Sequence, residues 1–179
     1  MKMGFVLGAV VLLPGVVLGQ VESGPAAGSR AKSCKVVALT KDEADKEIDF
    51  AAQRGDKPTV FVFVQADKWD RPVARFLRTL DQDLAKNRED VRIVAVWLTD
   101  DVEMSKTYLP KAREALKLSQ TTFTVFPGDK SGPNGWAING DAHLTAVVIE
   151  KTKVTASFGY RSVNEKDVPD VIKKLTLKK

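Results

Sequence analysis

The chain is poor in the residues from which active sites are most often built. Among 179 residues it has one cysteine, Cys34, and one histidine, His143. A lone cysteine excludes an internal disulfide and any exchange between two thiols of the same chain. A lone histidine excludes a multi-histidine metal centre. Aromatic residues make up only 7% of the chain, too few for a stacking surface that would hold nucleic acid. No phosphate-cradling glycine loop, nucleophile elbow or zinc-type spacing occurs, so the sequence points to no cofactor and no metal.

What is present is an ordinary globular composition, 44% hydrophobic and 28% charged. One stretch stands apart. Residues 1–19 carry Lys2, an apolar run over 5–13, Pro14-Gly15 and then Val17-Leu18-Gly19, the pattern of a signal peptide cleaved near Gly19 and Gln20. The apolar run is shorter than the roughly 20 residues a membrane span needs, so no stable span is expected after cleavage. The chain is therefore expected to be exported, to a periplasm or to the outside. Residues 20–33, rich in Gly, Ser and Ala and without periodicity, are predicted as a linker, and 34–177 as one domain. The formal net charge of +5 is spread along the chain, which argues against nucleic acid as a partner.

Within the domain, apolar patterning predicts alternating strands and helices. A short strand over 35–39 leads to a capping box, Thr40 to Glu43, and a helix to Arg54 stopped by Gly55. Residues 59–65 are apolar without a break, as in a strand covered on both faces. Asp70 then opens an amphipathic helix to about Lys86, with Arg71, Arg75, Arg78, Asp81 and Asp83 on its wet side. A second central strand over 91–98 is followed by a helix start at Asp100 and Asp101 and by a second helix beginning at Pro110. A strand over 122–126, a loop over 127–140 holding Trp136, a hairpin around residues 150–153 ended by Gly159, and a helix opened by Ser162 and Glu165 complete the order.

This order resembles the thioredoxin-like fold, in the enlarged form of peroxiredoxins and of the thiol-disulfide oxidoreductases of bacterial envelopes. The resemblance implies an α/β fold with a central mixed sheet, helices on both faces and a C-terminal β-hairpin plus helix. Family members carry Trp-Cys-x-x-Cys between the central strand and its helix. The matching residues here are Trp69-Asp70-Arg71-Pro72-Val73, with Asp70 and Val73 at the two cysteine positions. The proline that usually precedes the first hairpin strand is also missing from Gly140-Asp-Ala-His-Leu144.

Thiol-disulfide exchange needs a thiolate at the helix N-terminus and a second thiol to resolve the mixed disulfide. Asp70 can be neither. The resemblance therefore implies a redox-inactive domain that binds, through a surface made by Trp69, Asp70, Arg71 and Pro72 with His143 and Gly159; the partner class is an exported protein or peptide. The alternative is a divergent oxidoreductase or peroxidase-like enzyme using Cys34 as a reactive thiol with an external partner. Each site residue also has a plain structural reading: Asp70 as a helix cap, His143 as a loop-edge residue, Trp136 as a plug over the core and Cys34 as a small buried hydrophobe.

Overall fold

All seven residues of Thr59–Gln65 are buried, as the apolar run over 60–64 predicts. Around them a computed structural model, which describes residues 20–39 and 46–176, builds one eight-stranded sheet. In chain order the elements are β1 (Gln20–Val21), β2 (Lys35–Ala38), β3 (Glu47–Asp49), α1 (Phe50–Arg54), β4 (Thr59–Gln65), α2 (Arg71–Asn87), β5 (Arg92–Leu98), α3 (Val102–Leu116), β6 (Thr121–Phe126), β7 (Leu144–Glu150), β8 (Lys153–Tyr160) and α4 (Val168–Ile172). Across the sheet the order is β1-β8-β7-β4-β5-β6-β2-β3. β4 runs parallel to β5 and antiparallel to β7, so the sheet is mixed. This is the fold class expected from the sequence.

Alternate residues of β4 feed two apolar layers, because successive side chains of a strand point to opposite faces. Val60, Val62 and Val64 meet Phe76, Leu77, Leu80 and Leu84 of α2 and Val168 and Val171 of α4. Phe61 and Phe63 meet Cys34, Phe50 and Trp136 on the other face. Helices cover both faces, unevenly: α2, α3 and α4 lie on the first, while the five-residue α1 and the 127–140 loop close the second. Trp136 is the plug of that second layer. It is fully buried between Phe61 and Phe63, at centroid distances of 4.8 and 5.0 Å, and its indole N–H donates to the Ser33 carbonyl at 3.0 Å.

Four local expectations are corrected. The helix expected to run through residues 46–54 is instead a strand to Asp49 followed by α1; Ile48 pairs with Val36 across β2 and β3, and Asp49 supplies the helix cap by accepting from the Ala52 N–H at 3.1 Å. The capping residues Thr40 and Glu43, like the 1–19 segment, lie outside the described residues. Pro110 does not divide the third helix, for Leu109 and Ala112 on either side of it are buried together and outweigh the lost backbone bond. The last capping box is formed by Asn164 and Asp167 rather than Ser162 and Glu165, and it opens a single 3-10 turn before α4.

The fourth correction concerns residues 20–33. Rather than trailing from the domain, they lie on its sheet. β1 pairs with the end of β8, the Ser23 and Thr145 hydroxyls share a hydrogen bond of 2.6 Å, Gly24 N–H donates to the Ala137 carbonyl at 3.0 Å, and Gly28 N–H donates to the Val154 carbonyl at 2.8 Å. Small residues suit this path because it runs close over β7 and β8: a Cβ on Gly24 would stand 2.6 Å from that of Ser157.

Asp81 shows how α2 is fixed to the sheet. Expected on the wet side, it is buried, and its carboxylate accepts from the backbone N–H groups of Ser119 and Gln120, both at 2.9 Å, and from the hydroxyls of Thr121 and Ser119, at 2.7 and 3.3 Å. These groups form the turn into β6, so one side chain holds α2 to the start of a strand two positions away in the sheet. Removing it leaves buried donors without an acceptor. Asp81→Ala is expected to lower the unfolding free energy by about 3 kcal/mol in urea melts, whereas Gln82→Ala, exposed beside it, should change it by less than about 0.5 kcal/mol.

Candidate functional site

β4 ends at Gln65 and the chain makes one 3-10 turn, Ala66–Lys68, before Trp69 and the start of α2. Asp70 is the N-cap of α2, and its carboxylate accepts from the Val73 N–H at 2.9 Å. Pro72 follows within the first turn, where a missing N–H costs nothing. Asp70 therefore satisfies a helix-end donor with a fixed negative charge. Val73 is buried against the core. Neither of the two positions where the resemblance implies thiols offers one.

The Trp69 ring turns toward α3. Its indole N–H donates to the Tyr108 hydroxyl at 2.8 Å, and the ring packs edge-on against Trp97 of β5 at a centroid distance of 4.9 Å. Trp97 continues the contact to Phe123 of β6 at 6.1 Å. Between the first turn of α2 and the outer side of α3 lies an open groove of about 370 Å³, lined mainly by Trp69, Arg71, Ala74, Tyr108, Ala112 and Leu116. Its walls are apolar and Arg71 stands at its mouth, exposed.

The remaining residues expected at this surface are distributed around it. His143 stands beside the end of β4: its carbonyl accepts from the Gln65 N–H at 3.2 Å and its own N–H donates to the Tyr160 carbonyl at 2.7 Å. The 141–143 loop and the Trp69 turn thus leave the same end of the sheet from neighbouring strands. Asp141 pairs with Arg161 at 3.1 Å. Gly159 does not join them. It is the penultimate residue of β8 but lies on the opposite face, under residues 21–23; a Cβ there would meet the Val21 carbonyl at 2.3 Å. The glycine is required by the N-terminal segment above it. Sequence reasoning did not find Tyr108, whose signal was a second apolar stripe on α3, Met104, Tyr108, Ala112 and Ala115, at helical spacing.

Cys34 is remote from this groove. It is fully buried in the second layer, and its backbone N–H donates to the Asp49 carboxylate at 3.0 Å. Burial, reinforced by the Asp49 charge, pushes the thiol well above its ordinary range. The loop over 127–140 is likewise fixed: the Gln65 side chain donates to the Lys130 carbonyl at 2.8 Å, and Lys130 pairs with Asp67 at 2.9 Å. Among the described residues no group of three potential metal ligands comes together, and no helix is long and apolar enough to cross a membrane.

The chain has the thioredoxin-like fold. Among solved structures it is similar to a peroxidoxin, BcpB, from Mycobacterium tuberculosis, with a TM-score of 0.60 and 16% identity over 84% of this chain and 96% of that one. A secreted disulfide oxidoreductase from the same organism, homologous to Escherichia coli DsbE, aligns with a TM-score of 0.57 and 15% identity over 80% and 96%. A secreted thiol-disulfide isomerase from Corynebacterium glutamicum aligns at 0.58 and 16% over 78% and 81%. No protein-family model matches the chain, and no curated protein does.

The burial of Cys34 has a direct readout. The folded protein is expected to resist a thiol reagent at neutral pH, with labelling appearing in step with urea unfolding; rapid labelling of the folded chain would contradict it. Because the folded pKa lies above the unfolded one, the stability linked to the thiol is intact below its ordinary value of 9.0 and is lost as the pH rises past it. In Cys34→Ala that part of the alkaline loss should disappear.

Proposed function

We propose that this protein is an exported, non-catalytic member of the thioredoxin-like fold that works by binding an exported protein or peptide through the Trp69–Tyr108 groove. The observation that carries this reading is the chemistry of the α2 N-terminus. There a carboxylate already bonded to the Val73 N–H stands where exchange would require a thiolate. Cys34 cannot compensate, being buried in the opposite layer with a raised pKa. The groove supplies what a binding module needs: a concave apolar surface with an indole–hydroxyl pair fixed in place and one exposed cation at its edge. Export is supported by the signal-like 1–19 segment and by the secreted proteins among those that share the fold.

The purified protein is expected to reduce insulin disulfides no faster than dithiothreitol alone. Catalysis at the level of an ordinary thioredoxin, abolished by Cys34→Ser, would overturn the reading. Tyr108→Ala should weaken capture of a partner from the exported fraction while leaving the circular dichroism spectrum unchanged, since the side chain is exposed.

A further inference from the structure

The dipeptide Asn-Gly occurs twice in the chain, as Asn134-Gly135 and Asn139-Gly140, and both lie in the loop over 127–140. Such a pair is prone to lose the asparagine amide, because glycine has no Cβ to keep its backbone nitrogen away from the side-chain carbonyl carbon before it. The two pairs share this chemistry. They differ in how the structure holds them.

Asn139 is half-buried and fully engaged. Its side-chain N–H donates to the Glu22 carbonyl at 3.1 Å, its Oδ1 accepts from the Asp141 N–H at 2.9 Å, and its backbone N–H donates to the Ser23 hydroxyl at 2.9 Å. Turning the carboxamide onto the Gly140 nitrogen breaks both side-chain bonds. Asn134 carries no such restraint: it and Gly135 are exposed, and its carboxamide makes no hydrogen bond within the chain. It borders an open crevice of about 360 Å³ shared with Ser33, Lys35 and Asp129, so solvent reaches it freely. Asn134 and Gly135 are the central residues of a tight turn, closed by the Trp136 N–H donating to the Pro133 carbonyl at 3.1 Å, with Gly135 at a φ of 82°.

We propose that Asn134 is a site of spontaneous deamidation and that Asn139 is protected from it by the N-terminal segment docked on the sheet. The Gly135 nitrogen gives its proton to solvent base and bonds to the Asn134 side-chain carbonyl carbon, the side-chain nitrogen leaves as ammonia, and a cyclic imide remains. Water then opens the imide on either side, leaving an aspartate or an isoaspartate at position 134. The only reactant besides the chain is water. Either product puts a carboxylate into the crevice that Lys35 lines, and isoaspartate also adds a methylene to the backbone of the turn that leads into the buried Trp136.

The test is to hold the purified protein in mildly alkaline buffer, folded or in urea, and to map the products by digestion, mass spectrometry and isoaspartate labelling. In the folded protein Asn134 is expected to convert about tenfold or more faster than Asn139, the factor implied by breaking two hydrogen bonds, and in urea the two rates should converge. Asn134→Gln should remove the conversion from its peptide and leave the circular dichroism spectrum unchanged, since the side chain is exposed. Equal rates at the two asparagines of the folded protein, faster conversion of Asn139, or a folded Asn134 that stays intact while the unfolded chain reacts would overturn the proposal.

Discussion

The structure depends on β4 being covered on both faces. A strand whose seven residues are all buried has no solvent face to spare, so each side must be closed by a separate layer. The first layer is supplied by α2, α3 and α4 and is held in register by the buried Asp81 carboxylate. Among the described residues the second has one short helix and is completed by Cys34 and Val36 from one side and Trp136 and Ile138 from the other. This explains why the long glycine-containing loop carries a tryptophan that is fully buried. A large planar side chain covers two phenylalanines where no helix is available.

The same constraint locates the groove. Because β4 and β5 run parallel, their C-terminal ends lie together, and the chain leaving each one must turn onto the first face to begin a helix. The turn after β4 places Trp69, the strand β5 places Trp97, and α3 places Tyr108 over it, so three aromatic residues from three elements converge without any long-range polar contact beyond the indole–hydroxyl bond. A fold used elsewhere to present a reactive helix end here presents an aromatic wall.

How far this was legible in the sequence varied with the kind of signal. Unbroken apolar runs marked β4 and β5 almost to the residue, since burial on both faces leaves no alternative reading. The Asp70 cap was equally plain, because a carboxylate ahead of a Pro-containing first turn has one obvious use. Asp81 was not, for a charged residue on a helix is normally solvated and only the approach of the Ser119–Thr121 turn makes it otherwise. Gly159 was misplaced for a related reason: a strand glycine signals close approach of backbone, but not which backbone, and the partner proved to be residues 21–23, which had no periodicity to reveal a path over the sheet. Tyr108 was hidden by Pro110, which suggested a helix break and so divided the stripe on α3.

Replacing a thiolate by an aspartate at a helix N-terminus changes more than reactivity. A thiolate stabilised by the helix end remains available to attack, whereas the Asp70 carboxylate is committed to a hydrogen bond inside its own chain. The first turn of α2 then has little polar capacity left to offer an incoming peptide backbone, and Pro72 removes one more donor. Under the binding function proposed above, recognition at this end of the sheet rests on apolar contact along Trp69, Tyr108 and the small side chains of α3. On that proposal such a surface selects for shape rather than for a reactive disulfide.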